Sequence, residues 1–317
     1  MPRGPRIDIP GLIQHVICRG IERKAIFRSD ADYEDILSRI LKLAGAEDLK
    51  VYAFALMPNH IHLLVRPLKM PLSTFMRRLL TGYAIYFNRK YRRVGHLFQN
   101  RYKSYVVEED SYFLELIRYI HLNPVRAGII SGLGKLALHP YTGYSALMGR
   151  ANCPFLNSNE VLSHFSSNLR SARKKLFEFM QDGIAQGERD DLSGGGLKRS
   201  LARLDPEQRE DRQAFDERIL GSSLFVESVL KETCRKQDLK ERDGRLEKLL
   251  GKVADLYNLT IPELCSGSKR APVLKARTAV IFYATKDIGT SARELSKVLN
   301  VAAATVHENV RLGKGKA

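Results

Sequence analysis

The chain has no tryptophan and only four cysteines in 317 residues. Cys18, Cys153, Cys234 and Cys265 lie far apart and form no Cys-x-x-Cys pair, which argues against a zinc knuckle or a disulfide framework and fits a reducing compartment. No apolar run is long enough to span a bilayer, and the opening MPRGPRIDIPG lacks the apolar core of a secretion signal. The reading is a soluble, cytoplasmic protein with no membrane partner. Negative charge is the most telling absence. Between Asp48 and Glu108 there is no Asp or Glu, yet Lys50, Arg66, Lys69, Arg77, Arg78, Arg89, Lys90, Arg92, Arg93, Arg101 and Lys103 all fall inside that window. Ordinary solvated surfaces intersperse both signs. A window of one sign, in a chain of formal net charge +17, suits a phosphodiester backbone, so nucleic acid is the expected partner.

The same window holds VYAFALMPNHIHLLVRP at 51–67. Residues 60–65 alternate around an apolar, β-branched run and predict a strand, in which positions i and i+2 point the same way. His60 and His62 therefore share one face. Ile61, Leu63 and Val65 share the other, which is apolar enough for helices to cover. Two neutral imidazoles a strand pitch apart can hold a divalent ion if a third ligand arrives from another element. They can equally be ordinary strand histidines.

Around this strand, residues 12–19 predict a first strand, and about 32–45 a helix capped by Ser29 or Asp30 with Ile36, Ile40 and Leu43 on one stripe. About 50–56 is a second strand, turning through Met57-Pro58-Asn59 into the third. Pro71 and Ser73 open a helix to about Tyr91 with Leu72, Phe75, Leu79, Tyr83 and Tyr86 inward, and 102–107 reads as a fourth strand. Strand, helix, two strands, helix, strand is the order of a ferredoxin-like split βαβ fold. This is an α+β architecture in which helices cover one face of an antiparallel sheet and leave the other open.

A further helix begins near Asp110, in YFLELIRYIHLNPVRAG at 112–128. Phe113, Leu116, Ile117 and Ile120 follow the i, i+3, i+4, i+7 rule and mark its buried arc. Tyr119 lies about 110° from the centre of that arc, with Asn123 one turn further along the same side. Pro124 disfavours helical geometry at Asn123, so the helix is expected to end there. A half-buried tyrosine and a C-terminal cap are one account of this pair. The other account joins them to the histidines. His60, His62 and the Asn123 amide form a three-ligand set without negative charge, which leaves Mg²⁺ or Mn²⁺ its full charge for a phosphate oxygen. A tyrosinate at Tyr119 beside such an ion is a competent nucleophile, and the phosphotyrosine it forms conserves the bond for rejoining.

Three motifs, PNHIHLLV at 58–65, YFNRKYRRVGHLFQNRYKS at 86–104 and RYIHLNPVRAG at 118–128, occur here in order and spacing. Together they resemble the single-tyrosine HUH transposases, and within them the group associated with repetitive extragenic palindromes. The resemblance covers residues 8–150 of the chain. It implies a ferredoxin-like catalytic domain that nicks and rejoins single-stranded DNA through a 5′-phosphotyrosine. His60 and His62 would be its metal pair, Tyr119 its nucleophile and Asn123 its helical amide. Insertion-sequence relatives carry glutamine four residues after the tyrosine, whereas this chain has asparagine followed by proline. A basic groove for a single strand or hairpin foot is expected at Arg77, Arg78, Arg101 and Lys103, with Tyr83, Phe98, Tyr102 and Tyr105 nearby.

Beyond this catalytic domain, assigned to 1–150, the expectation is a helical and charged connector over 151–246 with no site, and a small all-α domain over 247–317. In the last, stripes through Val253, Leu256 and Tyr257 and then from Ala276 to Ala284 precede TSARELSKVLNVAAATVHENVRLGKGK. That stretch fits a helix-turn-helix: Ser291 or Thr290 as cap, Leu295 and Val298 inward, a turn near Asn300-Val301, and a second helix from Ala302. It resembles the C-terminal DNA-binding domain of the replication initiator DnaA, which implies duplex DNA as partner. In that domain the second helix opens on polar residues. Here Ala302, Ala303 and Ala304 open it, which leaves Thr305, His307 and Arg311 to touch DNA. A three-helix bundle for protein contact is the alternative. For the whole chain, a metal-dependent endonuclease and strand transferase stands against a non-catalytic DNA-binding regulator on the same fold and a metal phosphoesterase using water.

Overall fold

The computed structural model describes residues 6–185 and 216–313, with backbone alone at 46–47 and 311–313. The chain divides into two units, Met1–Leu230 and Lys231–Ala317. The first is built on one sheet. β1 (Ile13–Arg19), α1 (Asp30–Asp48), β2 (Leu49–Met57), β3 (His60–Pro67), α2 (Leu72–Lys90) and β4 (Lys103–Val107) follow one another, and the strands lie side by side as β2-β3-β1-β4, antiparallel throughout. This is the ferredoxin-like α+β order read from the sequence. Alternation sets the register. Cys18 faces Ile61, Val16 faces Leu63 and Gln14 faces Val65 on one side of the sheet, while Arg19 faces His60 and Ile17 faces His62 on the other.

Helix α1 starts after Ser29, where Asp32 Oδ2 accepts from the backbone N–H of Arg28 at 2.7 Å and of Ser29 at 3.1 Å. Its Leu37 and Leu41 line a small cavity with Phe54, which pairs with Leu63, so α1 lies on the apolar face. Helix α2 packs against α1, and its buried Tyr83 donates to the Ile26 carbonyl. The inward stripe of α2 ends on Phe87 rather than Tyr86, because four-residue steps from Phe75 keep to the same side of the helix. Tyr86 is half-buried, with its hydroxyl 3.2 Å from the Ala31 carbonyl. The N-cap of α2, Pro71, offers no side-chain acceptor. Instead Asp8 of the N-terminal strap accepts from the N–H groups of Leu72 (3.0 Å) and Ser73 (3.1 Å), placing a carboxylate at the positive end of the helix.

Three features depart from expectation. First, the histidine face is not open, because α3 (Glu109–Arg126) lies on it. Arg66, on the same face as His62 by strand alternation, pairs with Glu109 of α3, and the Tyr119 ring reaches the histidines. Second, α3 does not end at Asn123 but runs through Pro124 to Arg126. Pro124 removes the N–H that would serve the Ile120 carbonyl, and the Asn123 side-chain amide fills in, donating from Nδ2 to Ile120 O (3.3 Å) and Tyr119 O (2.9 Å). Third, the sheet has a fifth strand, β5 (Ile219–Leu220), parallel to β4 and drawn from the stretch expected to be helical connector. It covers what would be an edge: Val106 N donates to Arg218 O and Glu108 N to Leu220 O, each at 2.8 Å. The rest of the connector expected over 197–215 lies outside the described residues.

The first unit is completed by α4 (Gly132–Leu136), α5 (Gly143–Leu147), α6 (Ser158–Ser163) and α7 (Leu169–Ile184). Helix α7 backs α3. The Arg118 guanidinium lies 4.2 Å over the Phe179 ring and donates to the Phe179 carbonyl at 3.2 Å, and any Cβ at Gly183 would run into the Arg118 side chain.

Helix α8 (Ser223–Leu256) begins in the first unit; its part from Lys231 on, with α9 (Ile261–Leu264), α10 (Ala271–Tyr283), α11 (Ala292–Leu299) and α12 (Ala303–Gly313), makes the second unit, which buries Leu246, Leu250, Val253, Leu264, Val280, Leu295, Leu299 and Val306. Leu256 faces out at 76 % exposure, and Leu299 rather than Val298 fills the interior. Ser291 and Glu294 form a capping box, Ser291 Oγ accepting from Glu294 N (3.3 Å) and Glu294 Oε2 from Ser291 N (3.0 Å). Asn300, left-handed at φ 50°, ends α11. No helix among the described residues is long and apolar enough to cross a membrane.

Removing the borrowed cap of α2 in Asp8→Ala is expected to cost about 1 kcal/mol, read as a lower urea midpoint, with Asp8→Asn closer to wild type because it keeps an acceptor.

Candidate active site

The β1–β3 register brings three imidazoles together rather than two. His15, fully buried, places Nε2 3.0 Å from Nδ1 of His62, with the rings stacked at 20° and centroids 5.3 Å apart. His60 meets His62 edge-on at 4.9 Å. Its Nδ1 lies 2.6 Å from Asn59 Oδ1, and Asn59 is oriented in turn by donating from Nδ2 to the Arg23 carbonyl at 3.0 Å. An amide oxygen only accepts, so His60 carries its proton on Nδ1 and keeps the lone pair of Nε2. Burial pushes the His60 pKa down to about 4, with the Arg19 charge adding to the effect. Burial also holds His62 well below the ordinary histidine range, helped by His15, His60 and Arg19. Both rings are neutral at pH 7, as a metal ligand must be.

Helix α3 delivers the phenol. The Tyr119 ring stands edge-on to both buried histidines, 5.9 Å from His15 and 6.1 Å from His62 between centroids. Two turns on, the Arg126 guanidinium lies 5.6 Å over the Tyr119 ring and donates to the Gly183 carbonyl of α7 at 3.2 Å. Asn123 follows Tyr119 by one turn. Only an NH₂ group can donate to two carbonyls, so its bonds to Tyr119 O and Ile120 O settle which end of the amide is which and leave Oδ1 as the acceptor.

No group of three or more His, Cys, Asp or Glu side chains among the described residues is arranged to hold a metal ion. An ion at the histidine pair would need its further ligands from other groups, of which an amide oxygen is one kind. Two neutral imidazole nitrogens and an amide oxygen fit Mn²⁺ well and Mg²⁺ less readily.

Of the basic residues singled out for DNA, Arg77, Arg78, Arg101 and Lys103 are all exposed. Arg77 and Arg101, with Arg6, line a cleft of about 840 Å³ between α2 and the segment 95–102, walled by Leu80 and Phe98. Arg78 does not line it. Lys103 pairs with Ile17 and so lies on the histidine face. Three of the neighbouring aromatics are not free platforms, since Tyr83 is core, Tyr102 is buried beneath Arg6 with 3.8 Å between guanidinium and ring, and Tyr105 packs 6.2 Å from His15, whereas the half-buried Phe98 walls the cleft. Thr305 is exposed on α12, and the Arg311 side chain lies outside the described residues. The sequence predicts LIQHVICR only as an apolar strand and assigns His15 no role. A histidine in such a run is visible, but its position against His62 depends on a pairing of strands some fifty residues apart that no local pattern encodes.

His121, on α3, is also fully buried, and burial pushes its pKa down to about 3. In the unfolded chain these rings take up a proton near pH 6.5. Their contribution to stability is therefore complete above that pH and is lost on acidification toward the depressed folded values. The melting temperature is expected to fall steadily from pH 7 to pH 4.5, and less steeply in His121→Phe.

Residues 9–123 match the family model for IS200-like transposases, a stretch that runs from just ahead of β1 to Asn123. No curated protein matches the chain. Solved structures do match, and one is a REP-associated tyrosine transposase bound to a REP hairpin, 17 % identical, covering 47 % of this chain and 87 % of that one with a TM-score of 0.39.

Proposed function

We propose that the protein is a metal-dependent endonuclease and strand transferase that nicks single-stranded or hairpin DNA and rejoins it through a 5′-phosphotyrosine at Tyr119. The process it serves is DNA transposition or a related processing of repetitive palindromes. One observation carries the reading: elements far apart in the chain converge so that the Tyr119 ring stands against His62, a neutral imidazole paired with His60. The IS200-like match over residues 9–123 and the long window without acidic side chains support it.

Mg²⁺ or Mn²⁺, held by Nε2 of His60 and of His62 and by Oδ1 of Asn123, would supply positive charge to a non-bridging phosphate oxygen. Tyr119 Oη attacks the phosphorus in line with the 3′ oxygen, the new P–O bond to tyrosine replacing the P–O3′ bond, and the departing oxygen leaves as a 3′-hydroxyl once protonated. Attack by a 3′-hydroxyl reverses the exchange, so strands rejoin without ATP. Arg126 keeps the phenol ring at the histidines from above. Arg77, Arg101 and Lys103 neutralise backbone phosphates, and a hairpin foot offers the unpaired strand that a site enclosed by α3 needs. The second unit is proposed to hold duplex DNA through α11 and α12 as a helix-turn-helix, with Thr305 and Arg311 as the residues that the sequence offers for contact.

The test is a labelled hairpin oligonucleotide with Mn²⁺. A covalent protein adduct on the 5′ side is expected, abolished in Tyr119→Phe while binding survives, and reduced at least a hundredfold in His60→Ala. Hydrolysis without an adduct would mean a phosphoesterase using water, and a mobility shift without cutting would mean a regulator. If Tyr112→Phe removes the adduct and Tyr119→Phe does not, the nucleophile is misassigned. Arg101→Ala should lower the salt slope of single-strand binding by about 0.7. Arg311→Ala should weaken duplex binding and leave adduct formation on the oligonucleotide unchanged.

A further inference from the structure

We infer that His15 is a positioning residue for the metal centre: by accepting a hydrogen bond from Nδ1–H of His62, it selects the tautomer of His62 whose Nε2 lone pair is available to a divalent cation. The inference rests on the metal reading above. The two rings share a single proton across the 3.0 Å contact between His15 Nε2 and His62 Nδ1. With the proton on His15, a neutral His62 carries its own hydrogen on Nε2 and turns an N–H toward the cation site, where it repels the ion. With the proton on His62 Nδ1, Nε2 is bare. His60 is held in that second way, its Nδ1–H directed at Asn59 Oδ1 at 2.6 Å. His15 would thus do for His62 what Asn59 does for His60, and the two ligands present equivalent nitrogens.

The surroundings suit a fixed acceptor. His15 is fully buried in β1, its ring lies nearly parallel to that of His62, and the rings of Tyr105 and Tyr119 lie beside it, tilted at 6.2 Å and edge-on at 5.9 Å. An imidazole lone pair behind a ligand histidine also makes the ligand more electron-rich, as carboxylates and carbonyls do behind other metal-bound histidines. His15 therefore does more than pack the sheet, and an apolar residue of equal volume would not replace it.

The experiment has two parts. Long-range ¹H–¹⁵N NMR of the metal-free full chain, labelled at histidine, reads the tautomer directly: His62 protonated on Nδ1 is expected, and protonation on Nε2 would overturn the inference. Mn²⁺ titration then compares His15→Phe, which keeps the ring volume but has no acceptor, with His15→Gln, whose side-chain oxygen reaches about where Nε2 lies. His15→Phe should bind Mn²⁺ roughly 10- to 100-fold more weakly, and His15→Gln should recover most of the loss. Equal affinity in His15→Phe and wild type would overturn the inference with the metal reading intact, whereas a wild type that binds no Mn²⁺ would overturn the metal reading itself. Should His15→Phe fail to fold, the tautomer of the wild-type protein decides alone.

Discussion

The pairing of β1 with β3 is the constraint on which the site depends. Residue by residue it sets Ile17 against His62 and Arg19 against His60. A slip of one position would carry both histidines into the layer occupied by Ile61, Leu63 and Val65. That slip is forbidden by burial, since those three side chains are at most 1 % exposed and fill the space against α1 and α2. Apolar packing on one face thus fixes, through a backbone that cannot shift, the geometry of polar chemistry on the other.

Helix α3 has two tasks that compete. As a core helix it buries Phe113, Leu116, Ile117 and Ile120, and in the proposed reaction it also carries a phenol and an amide at the edge of that arc. The cost falls at its last turn, where Pro124 breaks the backbone ladder and the Asn123 side chain repairs it. The repair holds the amide with Nδ2 turned toward its own helix. With glutamine in that place the longer side chain would have a different reach, so asparagine and proline read as one device rather than two residues. Helix α7 holds α3 from behind through Arg118 and Arg126, which gives a structural role to a stretch that carries no catalytic motif.

The periodicities that produce β1 to β4, α1 and α2 are local, and so the ferredoxin-like order was readable, as was the shared face of His60 and His62. Tyr119 and Asn123 could be placed one turn apart from helical geometry alone. What could not be read is relational. His15 matters only once a strand register exists. The face of the sheet on which α3 would settle follows from how the loop after β4 turns, and β5 is two residues long, too short to show any period. Pro124 misled because the rule about residues preceding proline describes a backbone average, and here a neighbouring side chain supplies the missing donor. Tyr86 and Phe87 were exchanged because steps of three and of four residues from Tyr83 both stay close to one apolar stripe.

The fifth strand has an implication for how the molecule comes into being. β4 gains its outer neighbour from residues more than a hundred positions further along the chain. A nascent polypeptide that has emerged only as far as Asn123, where the match to IS200-like transposases ends, already carries every catalytic side chain proposed here, yet it still displays a bare row of amides and carbonyls along that rim. Until translation reaches Leu220, the sheet is open to pairing with any extended segment it meets, so for this protein the time between synthesis of the chemistry and closure of the scaffold is a window of vulnerability to misassembly.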